Sequence, residues 1–160
     1  MARGFVRFGG GDMTAALNLS GVPELRAALK EFGLQADKQL QDIVRGTAQN
    51  VRSTAIKSIQ RGPKTGDVYE KTSPTRTHRA SGPGEAPATD TGRLANSITA
   101  SIAGKSAEVR AEADYAVYLE FGTRTIAPRP FMIPALEQER PKWDARLQRI
   151  VDEAAKGIIK

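Results

Sequence analysis

The stretch Tyr115–Glu137, YAVYLEFGTRTIAPRPFMIPALE, decides the fold. It sets four aromatic residues (Tyr115, Tyr118, Phe121, Phe131) beside a glycine turn, a proline-braced loop and the start of a helix. Tyr115, Val117, Leu119 and Phe121 share one parity, Ala116, Tyr118 and Glu120 the other. A strand and an irregular helical turn therefore both fit. Gly122 is expected to take a backbone conformation closed to other residues. Pro128 and Pro130 stiffen an extended segment around Arg129. Phe131 and Met132 then drop into the core or into a partner, and Pro134 opens a C-terminal helix in its first turn. Trp143, Leu147, Ile150, Val151 and Ala154 mark that helix's apolar face, and Pro141, lacking a backbone donor, is expected to kink or restart it.

Working upstream, Val109, Ala111 and Ala113 alternate with Glu108, Arg110 and Glu112. Before them Ile98, Ala100 and Ile102 alternate with Thr99 and Ser101. With the turn Ala103-Gly104-Lys105-Ser106 between them, these read as a β-hairpin. The Gly104-Lys105-Ser106 triplet is no phosphate loop, because Thr99 stands where that motif's first glycine belongs. Ahead of the hairpin, Asp90 is placed to cap a short helical turn at Thr91-Gly92-Arg93-Leu94. Residues 61–90 hold eight Gly and Pro positions, from Gly62 to Pro87, with no periodicity. They read as one long polar loop, basic at Arg61, Lys64, Lys71, Arg76 and Arg79. A simply solvated, flexible loop is the plain expectation, and a loop whose basic side chains face DNA phosphates or a neighbouring subunit is the functional alternative.

Further back, Ala36, Leu40, Ile43, Val44, Ala48, Val51, Ala55 and Ile59 recur at three- and four-residue steps, a long amphipathic helix over about 35–60. Lys38, Asp42, Arg45, Gln49, Arg52 and Lys57 fall largely on its outer side. A shorter helix with Leu25, Leu29 and Phe32 on one face is expected to start at Ser20-Gly21-Val22-Pro23-Glu24 and to end at Gly33. Thr14–Leu19 reads as a short strand. Residues 1–13 read as a flexible arm, and 14–160 as a single α+β domain. In this fold the N-terminal helices and a C-terminal helix pack on a small antiparallel sheet.

Composition narrows the function. The chain of 160 residues carries a net charge of +6, which favours polyanionic or acidic neighbours. It has no cysteine and one histidine, His78, so thiol chemistry and histidine-cluster metal sites are excluded. No apolar run approaches the roughly 20 residues a membrane span needs. No nucleophile has a base beside it, and strand parity spreads Glu112, Asp114 and Glu120 over different faces. Neither a catalytic residue, a cofactor site nor a metal site is expected.

Three stretches carry a resemblance: Thr91–Ile98 (TGRLANSI), Tyr115–Thr123 (YAVYLEFGT) and Ala127–Ala135 (APRPFMIPA). In this order they resemble the tail-component or tail-completion (neck) proteins of tailed double-stranded DNA bacteriophages. The third departs from the family pattern by an extra Pro between Ala and Arg. The resemblance covers about Gly21 to the C-terminus. It implies a virion structural protein, not an enzyme, assembled in the host cytoplasm into a ring at the head–tail junction, a hexamer in preference to a dodecamer. A tail terminator capping the tube is the alternative, and a DNA-binding accessory protein a more distant one. Implied partners are the chain itself, the connector or stopper, the terminator, the tail tube and packaged DNA in the channel. The expected subunit-interface residues are Tyr115, Tyr118, Glu120, Phe121, Gly122, Thr123, Arg124, Arg129, Pro130 and Phe131.

Overall fold

The computed structural model describes residues 5–6, 15–16, 22–72 and 74–158. The chain divides into two compact units, Met1–Lys38 and Gln39–Lys160. In the first, β1 (Phe5–Val6) pairs antiparallel with β2 (Ala15–Ala16). The rest of the expected arm, the rest of Thr14–Leu19 and the helix start at Ser20-Gly21 lie outside the described residues.

One helix replaces the two expected. α1 (Val22–Arg61) runs 40 residues straight past Gly33. A lone glycine costs a helix about 1 kcal/mol, and no proline follows it to enforce a stop. The residues after Gly33, Leu34 to Leu40, mostly favour helix, so the helix continues through it. The expected stripe is the buried one: Val44, Ala48, Val51, Ala55 and Ile59 are all under 6 % exposed. Arg52, expected on the outer side, instead turns its Nε to the carbonyl of Ile98 at 2.8 Å.

Residues 61–90 are not loop throughout. β3 (Val68–Thr72) and β4 (Thr75–Arg79) form an antiparallel hairpin with Tyr69 opposite His78. Four of five positions in each strand are exposed. With no buried face there is no alternation for the sequence to display, which is why the β-branched residues here did not register as strands.

The second hairpin is as expected: β5 (Ile98–Ala103) pairs with β6 (Ser106–Ala111), from Ile98 opposite Ala111 to Ala103 opposite Ser106. Ahead of it stands the short α2 (Arg93–Asn96), whose N-cap position is Gly92, with no side-chain cap. Asp90 does not cap it. Its carboxylate is taken by Lys71 and Arg76, and Arg76 also reaches the Asp90 carbonyl at 3.2 Å.

The segment that fitted either a strand or a helical turn is α3 (Ala116–Phe121). α4 (Met132–Ile158) follows with Pro134 in its first turn, and it runs on through Pro141 without restarting. Trp143, Leu147 and Ile150 are half-buried, whereas Val151 is 58 % exposed and off the apolar face. The side chain of Ala154 lies outside the described residues. The core of the second unit, among the described residues, draws Val51, Ala55 and Ile59 of α1, Leu94 and Ala95 of α2, Ile98 of β5, Ala116 of α3, and Phe131 and Ala135 around the start of α4. Phe131, Ile59 and Ile98 are its largest fully buried side chains.

Asp90 gives a pH-dependent element. The hydrogen bond from Lys71 is the main cause that holds its carboxyl below the ordinary aspartate range, opposed by desolvation and helped by the charge of Arg76. A depressed folded-state value means the clamp is fully present above the unfolded value, about 4, and is lost as pH falls below it. The protection factors of the β3 and β4 amides, which take out the intrinsic slowing of exchange toward low pH, are therefore expected to fall between about pH 5 and about pH 3, on either side of that value. Asp90→Asn should show low protection at both pH values; a hairpin equally protected in the variant would refute the clamp.

Candidate assembly interface

Helical period, not strand parity, sorts the residues of α3. Ala116, Leu119 and Glu120, at steps of three and four, turn inward; Val117, Tyr118 and Phe121 turn outward. Ala116 is 6 % and Glu120 7 % exposed, whereas Val117, Tyr118 and Phe121 are 52 %, 58 % and 65 % exposed. Ile126, on the loop that follows, adds an apolar side chain at 44 % exposure. Such a cluster of large apolar side chains in solvent is a mark of an interaction site.

The framework beneath it is tied together by hydrogen bonds. Phe131, at the N-cap position of α4, has no side chain able to cap a helix. Glu120 does so from α3: its carboxylate accepts from the backbone N–H groups of Phe131 at 2.9 Å, Met132 at 3.0 Å and Ile133 at 2.8 Å. These are donors a helix start leaves unpaired, at the positive end of its dipole. The Arg129 N–H also binds the Leu119 carbonyl at 2.7 Å, tying the proline-braced segment back to α3.

Gly122 makes the turn between these parts. Its φ of 77° and ψ of −178° belong to glycine. A Cβ there would sit 2.7 Å from the Ile126 carbonyl oxygen and 3.0 Å from the Pro128 nitrogen. The loop is closed by Thr123, whose N–H meets the Ile126 carbonyl at 2.8 Å while its hydroxyl accepts from the Ile126 N–H at 3.1 Å. Gly122→Ala combines backbone strain with a clash against backbone atoms, and is expected to destabilise by about 2–4 kcal/mol in chemical denaturation. A cost below about 0.5 kcal/mol would show that the turn relaxes freely.

The expected interface residues thus separate. Tyr115, Tyr118, Phe121, Thr123 and Arg124 are exposed; Glu120 and Phe131 are interior; Gly122, Arg129 and Pro130 lie between. Val117 and Ile126 join the exposed set, and the helical spacing of Ala116, Leu119 and Glu120 was the signal for Val117. Arg129 lines a cleft of about 250 Å3 with His78, Asp90, Arg93 and Tyr115. Its Nε is buried with no hydrogen-bond partner among the described residues. Arg93 lies 5.8 Å from the centre of the Tyr115 ring.

The basic residues of 61–90 are not a common free surface. Lys71 and Arg76 grip Asp90. Lys64 donates to the carbonyls of Ser58 at 3.2 Å and Ala86 at 2.8 Å, and burial pulls its ammonium down against the pull of Glu85. Arg61 and Arg79 are exposed. Among the described residues no cluster of histidine and carboxylate side chains is arranged to hold a metal, and no helix is long and apolar enough to cross a membrane.

The family model described as "Bacteriophage HK97-gp10, putative tail-component" matches residues 24–122. The chain belongs to that family: it is a structural component of a phage tail, its place is the virion, and it meets other phage proteins there. No curated protein matches the chain, and no solved structure does.

Proposed function

We propose that the chain is the repeating subunit of a ring in the phage neck, formed in the host cytoplasm, where it completes the tail and joins it to the head. The observation that carries this reading is the apolar surface of Val117, Tyr118, Phe121 and Ile126, left in solvent on a helix locked to the core through Glu120. Aromatic anchors on a rigid support are what dominates interface energetics. A closed ring, hexameric in preference to dodecameric, repeats one such contact around an axis. The connector or stopper, the terminator and the tail tube are its neighbours, and packaged DNA passes through its channel. The subunit works without catalysis, cofactor or metal. A chiefly DNA-binding role is disfavoured because Lys64, Lys71 and Arg76 are already engaged within the chain.

Electron microscopy of particles made without the gene tests the reading. Filled heads and separate tails of normal length are the expected result. Tails of irregular length would make the chain the terminator instead, and normal infectious particles would overturn both.

A further inference from the structure

A head-to-tail ring needs two different complementary patches on each subunit, and the α3 surface is one. A second unpartnered apolar feature lies elsewhere on the same unit. A groove of about 430 Å3 opens between α1, β6 and α4, lined chiefly by Val44, Ala48, Val51, Val109, Leu136 and Trp143. No residue of α3 lines it. Leu136 is 56 % exposed at its edge, and Ile133, also on its wall, 42 %.

We propose that this groove receives the α3 surface of a second copy of the chain, Tyr118 and Phe121 entering as the anchor. Area favours a partner of this size. With two aromatics and two aliphatics about half in solvent, the α3 surface offers on the order of 300 Å2 of apolar area. A stable interface buries about 800 Å2 per partner, so this patch is right for its dry centre, with polar residues making the rim. Charge is secondary. Glu108, on the groove wall, is ion-paired with Arg110 at 2.6 Å, and with its side chain 57 % exposed it has a second carboxylate oxygen open to Arg124 of the entering copy, which is exposed three residues beyond Phe121. Lys105, also on that wall, already has a partner within the chain and is not an unpaired cation facing Arg124.

The pairing rests on the self-assembly that the neck ring assumes, but it is read in solution, where position in the particle plays no part. Phe121→Glu spoils the α3 surface and Leu136→Glu the groove, both at positions more than half exposed, so circular dichroism and melting should stay close to the parent. Sedimentation of the full chain is expected to show each variant alone as a monomer. Their equimolar mixture should give a one-to-one dimer and nothing larger, because each supplies the patch the other lacks. For a parent that assembles in solution, no dimer in the mixture, or a Leu136→Glu chain that assembles like the parent, would overturn the proposal.

A second measurement applies even if the parent assembles only in particles. The chain has no cysteine, so a Tyr118→Cys, Leu136→Cys chain can report the contact without background. Oxidised particles carrying it should show a ladder of linked copies on a denaturing gel, up to the full ring. Absence of cross-links, or dimers formed by Tyr118→Cys alone through α3 meeting α3, would overturn the pairing. A gene-deletion phage with normal particles, alongside a one-to-one dimer in solution, would instead sink only the neck role.

Discussion

Phe131→Ala is expected to destabilise the subunit by about 3–5 kcal/mol, the range for removing a large aromatic from a packed core. Phe131 is 1 % exposed and lies in the core cluster with Ile59, Ile98 and Ala135. A domain of this size is held by roughly 5–15 kcal/mol, so the variant should melt far below the parent or fail to accumulate. Because that outcome alone resembles any failed fold, Phe131→Leu supplies the graded control. It keeps most of the volume and should cost no more than about 1.5 kcal/mol. Urea midpoints at a common slope measure both. An alanine variant within about 1 kcal/mol of the parent would mean that the site collapses around the cavity or that the ring sits at the surface. The sequence left open whether Phe131 anchors the core or a partner; its burial within a single chain places it in the core. Any effect of Phe131→Ala on assembly then follows from the lost fold.

What could be read from the residues was whatever buries one face. The stripe from Val44 to Ile59 and the alternation across Ile98–Ala111 stood out because each has a wet side and a dry side. The β3–β4 hairpin has no dry side, so its strands passed for loop. Gly33 has the look of a helix stop, yet the residues on both sides carry the helix through it. The same limit applied to the site. Gly122 was legible as a special backbone position, because glycine between a bulky run and a proline-rich one announces a turn. The division of Tyr115–Phe131 into support and surface was not. Over seven residues, parity and helical period make different groupings, and only a helix puts Leu119 and Glu120 together inside. The roles of Asp90 and Glu120 do not show in the sequence for a related reason: both hold partners distant along the chain. Glu120 reaches 11 residues ahead to Phe131, and Asp90 reaches 19 back to Lys71.

Glu120→Ala should match the core substitution in cost by a different route. It would strip the acceptor from three backbone donors at the start of α4, one buried and two partly so. Each buried donor left without a partner costs about 1–3 kcal/mol, less where water can reach it, so a total on the order of 4 kcal/mol is expected. For a chain of this length that corresponds to a fall of roughly 10 °C in melting temperature. Glu120→Gln separates charge from connectivity. It retains one oxygen acceptor and the shape of the side chain, but loses the second oxygen and the favourable pairing of a carboxylate with the helix dipole. Its cost should be about half that of the alanine variant. The location of the damage matters as much as its size. Because Glu120 couples α3 to α4, amide exchange should rise first at Phe131, Met132 and Ile133 in both variants, with the β5–β6 hairpin protected until global unfolding. Tyr118 and Phe121 project from the same short helix, so the glutamine variant should also assemble less well than its remaining stability would suggest. A Glu120→Gln chain with unchanged exchange at those three amides would show that the carboxylate is not the cap, and the rigidity assigned to the α3 surface would have to come from elsewhere.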